Sequence, residues 1–159
     1  MKIRCIYIII CISCSSCNLF RNVSIDNEYQ VECLGVELDG SQTLKVMGNG
    51  RNRFDAVEQA KKNAVHATIF KGINSGREGC YNQPLITNPN SRELNSQYFD
   101  DFFSDSGPYS NFVNYEDERI SNKILRGFKF SRRSVSNIVV VRVSRNKLKK
   151  KLMEDRLIK

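Results

Sequence analysis

The chain has 159 residues, and its 25 Lys and Arg against 17 Asp and Glu give a formal net charge of +8. This length predicts one domain that can bury a core without a metal or disulfide. With 40% hydrophobic and 26% charged residues, the composition excludes a disordered chain and a polytopic membrane protein. A single His excludes a multi-histidine metal site, and we expect neither a metal nor a cofactor.

Residues 1–16 have the organisation of a lipoprotein signal peptide. Lys2 and Arg4 make a basic start, and residues 5–12 form an uncharged apolar run that is too short to span a bilayer. Small residues follow, as is typical before a cleavage site.

Two cysteines are candidates for lipidation, because small residues directly before a cysteine resemble the lipobox of bacterial lipoproteins. Cys17 follows Ser15-Ser16, and Cys14 follows the apolar run more closely. We predict lipidation of Cys17, or of Cys14, and anchoring to the membrane by that lipid. The alternative is a plain signal peptide cut nearby.

The remainder of the chain divides into a short tether and one domain. Residues 17–28 mix polar and apolar side chains without a period, which predicts a tether, and residues 29–159 predict a single α+β domain. Cys33 and Cys80 remain after cleavage, and in an oxidising compartment they predict a disulfide. Two buried free thiols are the alternative.

The domain opens with the pattern of a β-hairpin followed by a helix. Residues 29–36 alternate, Asp39-Gly40 favours a turn, and residues 43–48 read as the returning strand. Helical spacing then predicts one Ala-rich helix between an Asn52 N-cap and Gly72. Its buried stripe contains Phe54, Val57, Ala60, Ala64, Ala67 and Lys71.

A loop-rich aromatic insert follows the helix. Residues 74–95 contain three turn-promoting clusters and Cys80, and long loops of this kind are often functional or tied down. The aromatic part beyond the loop predicts a partner surface made of Tyr98, Phe99, Phe102, Phe103, Tyr109 and Phe112. That these aromatic residues fill the core is an equally weighted alternative.

The end of the chain predicts a second hairpin and a helix. Residues 127–132 alternate, Ser136-Asn137 favours a turn, and residues 138–143 form the most strand-like run. Residues 147–153 read as a short amphipathic helix. The order predicts an α+β fold, in which a small antiparallel sheet is packed by one long Ala-rich helix and a short C-terminal helix.

The C-terminal helix carries a basic stripe. Eight basic residues lie between Arg142 and Lys159, and four of them fall close together: Lys147, Lys149, Lys150 and Lys151. This stripe predicts a surface for acidic phospholipid, nucleic acid or another anionic partner, although most such runs are solvated helix faces. The stripe lacks aromatic residues to stack bases, which makes nucleic acid the unlikely partner among these.

No motif predicts catalysis. Gly48-Asn49-Gly50 precedes a helix, but Arg53 stands where a dinucleotide fingerprint has its third glycine, so a tight strand-to-helix turn is the better interpretation. The spacing of the acidic residues does not match a calcium loop, and His66 has no catalytic partner in sequence. We expect no enzyme and infer no small-molecule substrate; a hydrolase would need a pocket that joins two carboxylates.

The strand that leads into Gly48-Asn49-Gly50, with Ala56-Val57-Glu58-Gln59-Ala60-Lys61-Lys62-Asn63-Ala64 after it, resembles the opening of small bacterial outer-membrane lipoprotein domains of the flagellar-assembly type. The resemblance covers residues 41–72 and, less clearly, 138–157. It implies a small sheet packed by an Ala-rich helix, and a non-enzymatic component of a cell-envelope complex. We therefore expect a lipid-anchored outer-membrane protein that faces the periplasm and binds an envelope protein partner.

Overall fold

The computed structural model describes residues 29–115 and 135–159. The strands are β1 (Val31–Val36), β2 (Gln42–Gly50), β3 (Val113–Tyr115) and β4 (Val135–Val143). The helices are α1 (Arg53–His66), α2 (Ser91–Leu94), α3 (Ser96–Phe102) and α4 (Arg145–Glu154), with a π-helical turn at Ala67–Lys71 and a 3-10 helix at Pro108–Phe112. Within the described ranges, no helix is long and apolar enough to cross a membrane.

The four strands form one antiparallel sheet in the order β1-β2-β4-β3. This confirms the α+β class and the small antiparallel sheet. The predicted strand at 127–132 lies outside the described residues, as do the leader and the tether.

Alternation along the central strands separates the two faces of the sheet. In β2, Leu44 and Val46 are fully buried against α1, whereas Lys45 and Met47 point to the other face and are half-buried. Val139 and Val141 continue the buried face in β4. The first hairpin closes at the predicted Asp39-Gly40 turn, where the Gly40 amide donates to the Glu37 carbonyl oxygen at 2.9 Å.

Helix α1 begins and ends at residues whose chemistry favours those roles. The Asn52 side chain accepts a hydrogen bond from the Asp55 amide at 2.9 Å, which confirms the N-cap. The α-helix ends at His66, and the π-helical turn continues to Lys71. Gly72 then adopts a φ of +76° and its amide donates to the Ala67 carbonyl oxygen.

The buried face of α1 and its π-helical turn differs from the predicted stripe at both ends. Lys71, at the far end, is exposed, so its assignment to the buried stripe is wrong. Ala56, Ala60 and Ala64 are fully buried, but Phe54 is 85% exposed, so its assignment to the buried stripe is wrong. Ala56 is the residue that faces Gly50, and Phe54 lies two positions earlier. Two residues correspond to about 200° of helix rotation, which points Phe54 away from the sheet.

Helix α1 is also covered on the side that faces away from the sheet. The fully buried Lys62 contacts Tyr109 and Asp105 of the insert, and Val65 is buried as well. Helix α4 packs through Leu148 and Leu152. The described part of the domain therefore has three layers: the sheet, α1, and the aromatic insert with α4.

The second half of the sheet differs from the sequence prediction at two places. Ser136 and Asn137, predicted as a turn, lie inside β4, where they pair with Asn49 and Gly48 of β2. A nine-residue pairing with the central strand outweighs the turn preference of two residues. The short strand β3 was not predicted.

We predict that Gly48→Ala lowers the free energy of unfolding by about 3 kcal/mol, because overpacking a rigid contact forces the backbone to shift. A Cβ at position 48 would lie 2.0 Å from the Ala56 carbonyl oxygen. Gly35→Ala is the matched control, since a Cβ there meets nothing within 4 Å, and we expect a change within about 0.5 kcal/mol. Urea unfolding measures both, and equal stabilities for the two variants would contradict the prediction.

Candidate functional site

The insert begins with a loop that is fixed to the edge of β1. The sulfurs of Cys33 and Cys80 lie 2.09 Å apart, at disulfide distance, as predicted for this pair. The Cys33 amide donates to the Ser75 carbonyl oxygen, and the Arg77 amide donates to the Cys33 carbonyl oxygen. Gly76 makes this approach feasible, because a Cβ there would lie 2.2 Å from the Cys33 carbonyl oxygen. The loop thus covers part of the free edge of the sheet.

The same loop closes back onto the end of α1. The amides of Leu85 and Ile86 donate to the carbonyl oxygens of Thr68 and Ile69 in the π-helical turn. These carbonyls belong to the last turn, where a helix leaves its acceptors without intrahelical donors. Backbone hydrogen bonds at this end and at Cys33 therefore hold the long loop in place.

The predicted aromatic partner surface lies mostly in the core. Phe99 and Phe102 are 1% and 2% exposed, and Phe103 and Tyr109 are also buried. Edge-to-face and stacked pairs join Phe102 to Phe103 and to Phe112. The partner-surface prediction is wrong for the four buried residues, because they supply the large side chains that pack against α1.

Tyr98 and Phe112, the other two residues of the predicted surface, are half-buried. The Tyr98 hydroxyl donates to the Asp155 carboxylate beyond the end of α4. Burial and this carboxylate raise the pKa of Tyr98. Tyr98 therefore connects the insert to the C-terminal helix rather than facing a partner.

His66 joins three elements at the end of α1. The Arg92 guanidinium of α2 donates to Nε2 at 2.9 Å, so Nε2 is unprotonated and Nδ1 carries the ring hydrogen. Nδ1 then donates to the hydroxyl oxygen of Tyr29 at 2.6 Å. The ring packs against Phe70 and Phe103. Nothing in the local sequence indicates these contacts, because Tyr29 and Arg92 are distant in the chain.

A charged group is buried on the far side of α1. The ammonium of Lys62, whose side chain is 1% exposed, lies 2.6 Å from the Asp105 carboxylate and 5.5 Å from the centroid of the Tyr109 ring. The Tyr109 hydroxyl donates to the Glu58 carboxylate, and burial and Glu58 raise the pKa of Tyr109. Nothing in the sequence singles out Lys62 or Asp105, because a lysine opposite the alanine stripe normally faces water.

A cleft of about 650 Å³ opens beside this group, at the start of α1. We call it the Phe54 cleft; its lining includes Arg53, Phe54, Val57, Glu58, Lys61, Asp105 and Tyr115.

The carboxylates that line the Phe54 cleft all have cationic partners. Glu58 lies 3.3 Å from Lys61, and Asp105 is paired with Lys62. Asp55, also in the lining, lies 2.8 Å from Arg51. The cleft therefore brings three carboxylates together, and each of them is engaged in an ion pair.

A second cleft, of about 440 Å³, lies where β1 begins. Its charged groups are already engaged: Lys45 pairs with Glu32 at 2.7 Å, and the Lys71 ammonium donates to the Tyr29 carbonyl oxygen and lies over the Tyr29 ring. The carboxylates of both clefts are therefore engaged within the domain.

The predicted basic stripe is divided by the packing of α4. Lys147, Lys149 and Lys150 are exposed. Lys151 lies on the flank of the helix, half-buried, with its ammonium 2.7 Å from the Asp155 carboxylate. The exposed basic face therefore contains three of the four predicted lysines.

The described residues contain no group of three or more His, Cys, Asp or Glu side chains that could hold a metal ion. No family model matches the chain, and neither a curated protein nor a solved structure does.

We predict that Cys80→Ala lowers the free energy of unfolding by up to about 4 kcal/mol under oxidising conditions, since the bond closes a long loop. The two cysteines are 47 residues apart. Denaturant titration with and without a reductant measures the effect. The wild type and the variant should converge when reduced; equal stabilities under oxidising conditions would argue against the bond.

We predict that His66 makes stability depend on pH between about 6.5 and 4. Burial, with the charges of Arg92 and Lys71, lowers the pKa of His66 from 6.5 to about 4. The unfolded chain takes up this proton at higher pH than the folded chain. The contribution of neutral His66 to the free energy of unfolding is therefore fully present above pH 6.5. It is lost as the pH falls toward 4, which lowers the free energy of unfolding by up to roughly 3 kcal/mol.

His66→Gln is the matched variant for this test, because it keeps an acceptor for Arg92 and cannot titrate in this range. His66 is the chain's one histidine, so the difference between the two stability curves isolates its contribution. Parallel curves from pH 6.5 to 4 would refute the assignment.

Proposed function

We propose that this protein is a non-enzymatic, lipid-anchored component of a cell-envelope complex. In this proposal, residues 1–16 are a lipoprotein signal peptide, Cys17 (or Cys14) carries the lipid, and residues 17–28 tether a single domain, 29–159, to the outer membrane on its periplasmic side. Within that domain the Ala-rich α1, extended by its π-helical turn, and the short α4 pack the small sheet. The domain acts by contact with an envelope protein.

The observation that carries this proposal is the cysteine pair. Disulfides persist in oxidising compartments such as the bacterial periplasm and are rare in the cytosol. The sulfurs of Cys33 and Cys80 are at bonding distance, and the sequence before residue 17 has the features of an export signal. Two separate parts of the chain thus support the same compartment.

The Phe54 cleft is the surface that we assign to the partner. Phe54 protrudes at the first turn of α1, with Arg53 beside it and Tyr115 in the same lining. Aromatic residues and Arg are enriched at protein interfaces and account for many of the residues that dominate binding energy. The partner would offer an apolar pocket for Phe54, with acidic groups near Arg53 and Lys61.

We predict that Phe54→Asp weakens partner binding at least about tenfold, as loss of a central aromatic contact does, without changing the melting temperature. Leu94→Asp is the matched control, since Leu94 is a similarly exposed apolar residue, on α2. A photoreactive amino acid at position 54 should crosslink one envelope protein in cells, and the same probe at position 94 should not. Crosslinking from position 94 alone would contradict the assignment.

The anchor is tested by intact mass and N-terminal mapping of protein from membrane fractions. We expect a diacylglycerol-sized increment that is lost in Cys17→Ala or, if the alternative holds, in Cys14→Ala. An unlipidated N-terminus in the wild type would contradict the lipid anchor and leave the partner surface to be judged by crosslinking.

A further inference from the structure

The exposed face of α4 combines basic residues with one apolar side chain. Leu148 and Leu152 are fully buried, which turns Lys147, Lys149 and Lys150 outward together with Met153. Lys150 has Glu154 as a loose partner at 3.9 Å. Among the described residues, neither Lys147 nor Lys149 has a carboxylate within ion-pair distance. The face therefore carries net positive charge.

The tip of the first hairpin lies against the beginning of this helix. The Asn146 side-chain amide donates to the Asp39 carbonyl oxygen at 3.0 Å. Gly40 packs so closely on Asn146 that a Cβ would lie 2.1 Å from its Nδ2 atom. The hairpin tip and α4 are thus held together as one surface.

Leu38 protrudes from this hairpin tip. It is the most exposed of the large apolar residues in the described ranges, and it directly precedes the residue that binds Asn146. Asn146 and Lys150 are one helical turn apart on the outward side of α4. An apolar side chain therefore projects beside a basic helix face, between two exposed acidic residues. Glu37 lies 3.6 Å from the Arg142 guanidinium, and the Asp39 carboxylate accepts hydrogen bonds from Ser41.

We propose that Leu38 and the exposed lysines of α4 form a docking surface for an anionic phospholipid bilayer. Lysines attract the negative surface of such a membrane, and a projecting leucine can enter the boundary between headgroups and acyl chains. Nucleic acid fits this surface less well, because its phosphates give Leu38 no apolar environment and the helix offers no aromatic ring for bases.

This docking surface rests on the proposed function, because the lipid anchor brings the domain to a membrane. Binding of Leu38 and the α4 lysines to a bilayer does not itself require the lipid. A tether of residues 17–28 can reach at most about 40 Å, which exceeds the roughly 35 Å width of a domain of this size. The tether therefore leaves the domain able to turn α4 and Leu38 toward the bilayer.

The experiment is cosedimentation of the full chain with vesicles of phosphatidylcholine alone and with added phosphatidylglycerol. We expect at least tenfold tighter binding to the anionic vesicles, weakened by salt. Lys147→Glu with Lys150→Glu should remove at least tenfold of that affinity, and Leu38→Asp at least threefold. Every variant carries the same leader, so its contribution cancels in these comparisons.

Two matched controls complete the design. Arg51→Glu with Arg77→Glu makes the same charge change at exposed residues elsewhere, and Leu94→Asp replaces an exposed leucine on α2. Both should bind anionic vesicles within about twofold of the wild type. Equal binding to the two vesicle types, controls as weak as the α4 and Leu38 variants, or tighter binding to an oligonucleotide than to vesicles would overturn the proposal.

These outcomes are distinguishable from those of the anchor experiment. An unlipidated N-terminus with selective vesicle binding would remove the lipid anchor and keep the docking surface. A lipidated protein whose Leu38→Asp variant binds vesicles like the wild type would keep the anchor and overturn the docking surface.

Discussion

The close contact between α1 and β2 is the constraint on which the rest of the structure depends. Gly48 and Gly50 place no side chain between the strand and the helix, and a Cβ at either position would overlap the backbone of α1. Ala56 and Ala60 present the smallest side chains on the other side of this contact. As a result, α1 lies directly on the sheet, and few apolar side-chain atoms lie between the helix and the sheet.

That shortage of volume explains why the insert is aromatic and why it is buried. An alanine-lined helix cannot fill a core, so Phe99, Phe102, Phe103 and Tyr109 supply the bulk from the opposite side. The Cys33–Cys80 pair and the backbone hydrogen bonds of the loop position the chain that carries these residues. Covering α1 on two sides also buries Lys62, which is compatible with folding because Asp105 and Tyr109 accompany it.

Local signals were sufficient for the first half of the fold and insufficient beyond it. The hairpin turn at Asp39-Gly40, the Asn52 cap and Gly72 each act within a few residues, and the sequence predicts them correctly. Partners such as Arg92 for His66, or Asp105 for Lys62, are 26 and 43 residues away and leave no local pattern. The aromatic residues illustrate the same limit: helical spacing puts Phe99, Phe102 and Phe103 on one face, but whether that face meets protein or solvent depends on the layer opposite.

The packing also determines where interaction surfaces can lie. With the large aromatic residues inside, the two proposed interaction surfaces lie at opposite ends of β2. Leu38 and the beginning of α4 lie near its first residue, Gln42, and Phe54 lies near its last, Gly50. Nine extended residues separate these ends by roughly 30 Å. A bilayer at the Leu38 end would therefore leave the Phe54 cleft clear of the headgroups. The two proposals are then geometrically compatible, because a domain docked on a bilayer at one end would present the other end to a partner.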